Sequence, residues 1–148
     1  MQRGRGLNHQ DSTPIRIVLV DDHPLPRRAI RRALEADPRL SVVGEGSSGL
    51  DALQLARRLK PRVIVMDISM PVMSGFEATR ILKEEMPDVQ VILVSAVYSA
   101  AEAKPEAKRA GASLFLSKLS NVYSDWVPAI KHVCRLSARK SRGCGGFA

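Results

Sequence analysis

Very little in this chain could cross-link it or hold it in a membrane. Its only cysteines, Cys134 and Cys144, are too few and too badly spaced for a disulfide framework or a zinc site, which points to a reducing compartment. Aromatic residues make up 4% of the chain, with a single tryptophan, so the core must be built from aliphatic side chains. The longest aliphatic runs, Val63–Met66 and Val91–Val94, are far too short to span a bilayer. The N-terminal segment MQRGRGLNHQDS has no apolar stretch and does not read as a signal peptide. A cytoplasmic location without membrane contact is the expectation.

What is present describes one globular unit. The 148 residues suit a single domain at about 100–200 residues each. A composition of 45% hydrophobic and 26% charged residues excludes a disordered chain or a fibre. A chain of this size buries enough apolar surface to need no staples. The net charge is +8, but it is unevenly placed. Residues 126–148 carry Lys131, Arg135, Arg139, Lys140 and Arg142 with no acid, whereas residues 15–125 are nearly balanced. The basicity is therefore mostly terminal, which weakens a nucleic-acid reading of the fold itself.

Along the chain, short β-branched runs alternate with longer amphipathic stretches. Ile15–Val20, Leu40–Glu45, Val63–Met66, Val91–Ser95 and Leu114–Ser117 are nearly continuous in apolar residues, as strands buried on both faces should be. Helical spacing predicts helices over Pro24–Ala36, Gly49–Lys60, Gly75–Glu85, Ala100–Ala110 and Ser124–Leu136. Ser48-Gly49 and Ser74-Gly75 open the second and third helices, and Lys60-Pro61 and Met86-Pro87 close them. Gly111 ends the fourth, where a left-handed residue is wanted. Pro105 is expected to break the fourth helix, leaving its surface short or mobile, and Pro128 competes with Ser124 as the start of the fifth. Five such units imply an α/β fold with a parallel sheet covered by helices on both faces.

In a parallel sheet, sites form beyond the carboxyl ends of the strands. Those ends carry Asp21-Asp22, Asp67, Ser95 and Lys118. Taken singly, each is ordinary: an acidic pair commonly turns a chain into a helix, and a lone lysine is usually solvated. Their convergence on one rim is what chance seldom arranges. Three crowded carboxylates repel one another unless a cation neutralises them, and Mg²⁺ suits a small set of hard oxygen ligands. Such an ion screens a phosphoryl group approaching a carboxylate nucleophile, and a lysine holds one phosphoryl oxygen.

The segments IRIVLVDDHP, VIVMDISMPVMSGFEATR, VILVSA and AGASLFLSK together resemble the receiver domain of two-component response regulators, in its NarL/FixJ-type branch. The resemblance runs from about Ile15 to Leu136. It implies a flavodoxin-like, doubly wound five-stranded sheet of order 2-1-3-4-5 with five flanking helices. It implies that Asp67 accepts a phosphoryl group from a histidine kinase or phosphotransfer protein. Asp22 matches the direct Mg²⁺ ligand, Asp21 the one that reaches the ion through water, and the Ser69 carbonyl a further ligand. Ser95 matches the hydroxyl that moves to meet the phosphoryl group, Lys118 its ion-pair partner, and Phe115 an aromatic switch that rotates inward. His23 is read as a turn residue without a catalytic part.

On this reading residues 1–14 are a disordered tail, 15–136 the receiver and 137–148 a basic, glycine-rich tail. The chain is a phosphoacceptor signalling domain rather than an enzyme, able to pair with a second receiver through its fourth and fifth helices. DNA is a partner only if an output domain lies beyond it. Leu119, after Lys118, stands where many receivers carry proline. Two other readings are open. An aspartate-nucleophile phosphohydrolase wants a second acid two residues after the nucleophile, where Ser69 stands. A nucleic-acid binder would use the basic tail, which lacks interleaved aromatics.

Overall fold

The computed structural model describes residues 13–144. The expected tail calls at residues 1–12 and 145–148 lie outside the described residues. Strands and helices alternate strictly: β1 Ile15–Val20, α1 Pro24–Glu35, β2 Leu40–Gly46, α2 Gly49–Leu59, β3 Val63–Asp67, α3 Gly75–Glu85, β4 Gln90–Ser95, α4 Ala100–Ala110, β5 Leu114–Ser117 and α5 Val127–Cys144. The five strands are parallel and ordered β2-β1-β3-β4-β5, as the resemblance implies.

The alternation of side chains along each strand divides the core into two layers. Val18, Val20, Ile64, Met66, Val91 and Leu93 face one way and meet α2, α3 and α4 through Leu53, Ala56, Ala78, Leu82, Ala103 and Ala107. Ile17, Leu19, Val63, Val65, Ile92 and Val94 face the other way and meet Ile30 and Leu34 of α1 with Trp126, Ile130 and Cys134. This is why the central strands read as unbroken apolar runs.

The serine punctuation holds and extends. The Ser48, Ser74 and Ser99 side chains cap α2, α3 and α4 by accepting from the Asp51, Glu77 and Glu102 N–H groups. At α4 the Glu102 carboxylate also takes the Ser99 N–H, completing a capping box. Gly111 is left-handed at φ 97° as expected. Lys60 is left-handed as well, at φ 48°, so the residue before Pro61 ends α2 by crossing to positive φ and not by extending.

Two expectations about helices are corrected. Pro105 does not break α4, which runs through it from Ala100 to Ala110. The capping box secures the N-terminus, and Ala103, Ala107 and Ala110 pack flat against the domain, so the one lost N–H bond is tolerated on the exposed face. Nor does the last helix stop at Leu136. A π-helical turn over Val122–Trp126, capped by the Asn121 side chain, leads into α5 at Val127, with Pro128 in its first turn. The helix then continues to Cys144, so residues 137–144 are helical and not part of the expected tail. Alanine, lysine and arginine are good helix formers, and the basic side chains suit the negative end of the helix dipole.

Because the Pro105 ring only removes a bond, Pro105→Ala should stabilise the domain by about 1–2 kcal/mol. The helix-interior penalty of about 3 kcal/mol is partly offset by the freer unfolded chain. Urea unfolding of the two proteins checks this, and an unchanged midpoint contradicts it.

Candidate functional site

The carboxyl ends of β1, β3, β4 and β5 bring their side chains to one rim. Asp21 follows β1 and is 1% exposed; Asp67 ends β3 and is 4% exposed. Lys118 follows β5, its N–H donating to the Ser95 carbonyl at 2.9 Å, which ties the ends of β4 and β5 together. Its ammonium then bridges the two acids, at 2.5 Å from Asp21 Oδ2 and 2.7 Å from Asp67 Oδ2. The remaining oxygen of each acid takes a backbone N–H: His23 to Asp21 Oδ1 at 2.9 Å, and Ser69 to Asp67 Oδ1 at 3.1 Å. Asp22 Oδ1 is buried without a hydrogen bond.

Ligand atoms of Asp21, Asp22, His23 and Asp67 all lie within 4.8 Å of one another. Three carboxylates against one ammonium leave this pocket short of positive charge. Burial pushes the Asp67 carboxyl up from its ordinary value, and Lys118 and the Ser69 N–H offset this only in part. For Lys118, burial works against the charged form, but hydrogen bonds and charge from Asp21 and Asp67 outweigh it and raise the ammonium. The pocket as a whole therefore favours added positive charge. Its oxygen-rich donors and the orphaned, buried Asp22 Oδ1 fit a divalent cation.

The expected residues are not equally close to this centre. Asp21, Asp22, Asp67 and Lys118 meet. Ser69 contributes through its backbone beside Asp67. Ser95 is buried on the same rim, but its hydroxyl oxygen accepts from the Val97 and Tyr98 N–H groups, both at 3.0 Å, and so holds the loop before α4. Phe115 departs from expectation: it is only 6% exposed and packs in the core layer of Ala103 and Ala107. An inward rotation has no starting point here, because the small alanines of α4 already leave room for the ring.

Sequence reasoning also undervalued two neighbours. Its Asp-Asp-His turn brings His23 into the acidic cluster. Arg27, one turn into α1, donates to the Asp21 carbonyl at 2.7 Å and pins the loop from behind. Trp126 lies close as well, with its indole N–H donating to Ser120 Oγ at 2.8 Å and to the carbonyl of Ser117, next to Lys118, at 3.3 Å.

A family profile described as the response regulator receiver domain matches residues 17–123, most of the chain. The chain belongs to the response regulator receiver family. Response regulator GacA of Pseudomonas aeruginosa is 40% identical over 122 residues, 80% of this receiver and 55% of GacA. A protein-glutamate methylesterase/protein-glutamine glutaminase of Myxococcus xanthus is 42% identical over 105 residues, 71% of this receiver but 30% of that protein. Among solved structures, the receiver domain of NarL from Mycobacterium tuberculosis superposes with a TM-score of 0.77 at 32% identity, covering 83% of this receiver and 98% of that chain. A LuxR-family response regulator from Aurantimonas sp. gives 0.78 at 32% identity, covering 83% and 86%. The chain spans between 30% and 55% of the length of the first curated relatives it matches.

Membership makes this a two-component signalling domain, and its acidic pocket fits a phosphoacceptor site. No helix among the described residues is long and apolar enough to cross a membrane.

Proposed function

We propose that Asp67 is the phosphoacceptor and Mg²⁺ the cation of this receiver. The observation that carries the reading is the Lys118 ammonium held between Asp21 and Asp67 on a rim that three carboxylates share. In the transfer, an Asp67 carboxylate oxygen forms a bond to phosphorus. The bond from phosphorus to the donor's histidine nitrogen breaks, and its electron pair stays on that nitrogen. Bound Mg²⁺ supplies charge screening between the carboxylates and the incoming phosphoryl oxygens.

Asp22, Asp67 and the Ser69 carbonyl would hold the cation, with Asp21 supporting it less directly. Lys118 exchanges its hold on Asp67 for a phosphoryl oxygen, keeping Asp21 as its anchor. Ser95 turns its hydroxyl toward the same group, and in doing so releases the Val97 and Tyr98 N–H groups. That release, and not a rotation of Phe115, is the coupling to α4.

The domain is a signalling component and not an enzyme in its own right, its chemistry limited to accepting and losing the phosphoryl group. The α4/α5 face serves a second receiver. The kinase side docks on α1, where Leu25 is 78% exposed and Arg28 and Arg32 line the outer surface. DNA enters only through an output domain, and the location is cytoplasmic. Incubation with acetyl phosphate and Mg²⁺ should add one phosphoryl group to the intact mass, and chelation of the metal should prevent it. A chain that stays unmodified overturns the reading.

The metal makes its own prediction. Mg²⁺ should raise the melting temperature of the parent, because it binds the folded state alone. Asp22→Ala should lose most of that rise and Asp21→Ala less, since only Asp22 offers an unbonded oxygen. The fluorescence of Trp126, two links from Lys118, provides a second readout. Equal rises in all three proteins contradict the assignment.

A further inference from the structure

A second region of unbalanced charge lies at the end of the sheet opposite the acidic pocket. A cavity of about 1510 Å³ opens where Pro61, Val89 and Ala112 lead into β3, β4 and β5, and its other wall is Val133 with residues 136–140 of α5. Arg62 fastens the two walls, its guanidinium donating to the Cys134 carbonyl at 2.7 Å. Cys134 is the last core residue of α5, so the helix beyond it lines this cavity and not the core. The floor is apolar: Val89 and Val133 are buried, Met86 and Ala112 half-buried, and Leu136 is left 47% exposed. Lys60, Arg62, Lys83, Arg139 and Lys140 line the same space, and none of them pairs with a carboxylate among the described residues. The Lys83 ammonium finds only main-chain oxygens, the carbonyls of Pro87 at 2.6 Å and Val89 at 2.8 Å. Of the two acids present, Glu85 is taken by Arg57 at 2.6 and 2.8 Å, which leaves Asp88 alone against five cations. Burial lowers the Lys83 ammonium from its ordinary value, and Lys140 adds to this against the pull of Asp88, so an anion in the cavity is favoured.

We propose that this cavity is a docking groove for an acidic, amphipathic segment of a partner protein, whose carboxylates meet the unpaired cations while its apolar side chains fill the floor. Charge complementarity selects an anion, and the apolar floor selects one that also carries hydrophobic groups. Size argues for a chain segment over a small molecule, since sites for the latter run to about 300–1,000 Å³. A nucleic-acid strand fits less well, because it wants aromatic side chains to stack its bases and none of the lining residues is aromatic. The cations come from the ends of α2 and α3 and from α5, which spaces them along the groove as the acids of an extended or helical segment are spaced. Because the groove lies at the amino ends of β3, β4 and β5, a partner can occupy it and leave Asp67, at the carboxyl end of β3, open to a phosphoryl donor.

The test is fluorescence anisotropy with the full chain and two labelled peptides about four helical turns long. One carries glutamate and leucine at helical spacing; in the other every leucine is replaced by glutamine. The leucine peptide should bind at least about tenfold more tightly than its leucine-free counterpart. Reversing two rim charges with Arg139→Glu and Lys140→Glu together should weaken the leucine peptide about tenfold. Lys104→Glu with Lys108→Glu makes the same change of charge on exposed positions of α4 and should weaken it less than about twofold. Leu136→Gln, a second variant that leaves the charge alone, should remove most of the advantage of the leucine peptide. Circular dichroism checks that each variant is folded. Absence of binding, equal binding of the two peptides, or equal weakening by the two charge reversals overturns the proposal. It is equally overturned if a single-stranded oligonucleotide binds more tightly than the leucine peptide and loses that binding with Arg139→Glu and Lys140→Glu, which assigns the cavity to nucleic acid.

Discussion

Asp67→Asn is expected to abolish phosphorylation by acetyl phosphate altogether, with no residual gain in intact mass under conditions that fully modify the parent. The amide is nearly isosteric, and its single oxygen can still take the Ser69 N–H while Lys118 keeps its bond to Asp21, so the domain should stay folded while its nucleophile is lost. A persisting gain of one phosphoryl group would move the acceptor to Asp22. The same variant should be more stable than the parent in the absence of divalent metal. Burial raises the Asp67 pKa in the folded protein, so the ionised form is disfavoured there relative to the unfolded chain. The parent therefore loses stability as pH rises from the ordinary value of 3.8 through the raised folded value, and asparagine escapes that loss. The gain should be present at neutral pH and vanish in acid, as urea titrations at several pH values can show.

The parts of this molecule written in local pattern were legible before the structure. Strands buried on both faces leave unbroken apolar runs in the sequence, and their carboxyl ends named Asp21, Asp22, Asp67, Ser95 and Lys118 together. Serine caps and the left-handed Gly111 are equally local. What escaped depends on competition between effects of similar size. Pro105 carries a helix penalty that a capping box and a flat alanine face outweigh. The end of α5 depends on how far good helix formers extend past the last core contact, and no proline or glycine marks it before Gly143. The buried position of Phe115 follows from how little space the α4 alanines occupy, and His23 from a hydrogen bond made by its own backbone. Val72 is the least predictable: a β-branched residue at φ 69° and 89% exposed, in the loop after Asp67, where the Met73 N–H donates to the Pro71 carbonyl at 2.8 Å and closes a strained γ-turn around it.

Gly75→Ala should be the most damaging single-methyl change in the domain, costing about 3 kcal/mol through overpacking against atoms that cannot move aside. A Cβ at this position would lie 2.4 Å from the Asp67 carbonyl oxygen, 2.9 Å from Ile68 Cα and 3.1 Å from the Asp67 carbonyl carbon, all of them backbone. The Gly75 N–H also donates to the Ile68 carbonyl at 2.8 Å, so α3 begins in direct contact with the chain that carries the acceptor. Here glycine is required for space and not for dihedral freedom. Gly111 makes the contrast, with its positive φ but only the flexible Lys83 side chain nearby, so its alanine variant should cost about 1 kcal/mol of backbone strain. Relief of the clash at Gly75 must push either α3 outward or Asp67 off its line to Lys118, and each route disturbs the pocket. The folded fraction of Gly75→Ala should accordingly accept phosphoryl groups at least tenfold more slowly than Gly111→Ala, besides melting roughly 10 °C below the parent. If Gly75→Ala melts with the parent and modifies at the parental rate, the glycine is dispensable, and the close approach of α3 to Asp67 does not set the acceptor's position.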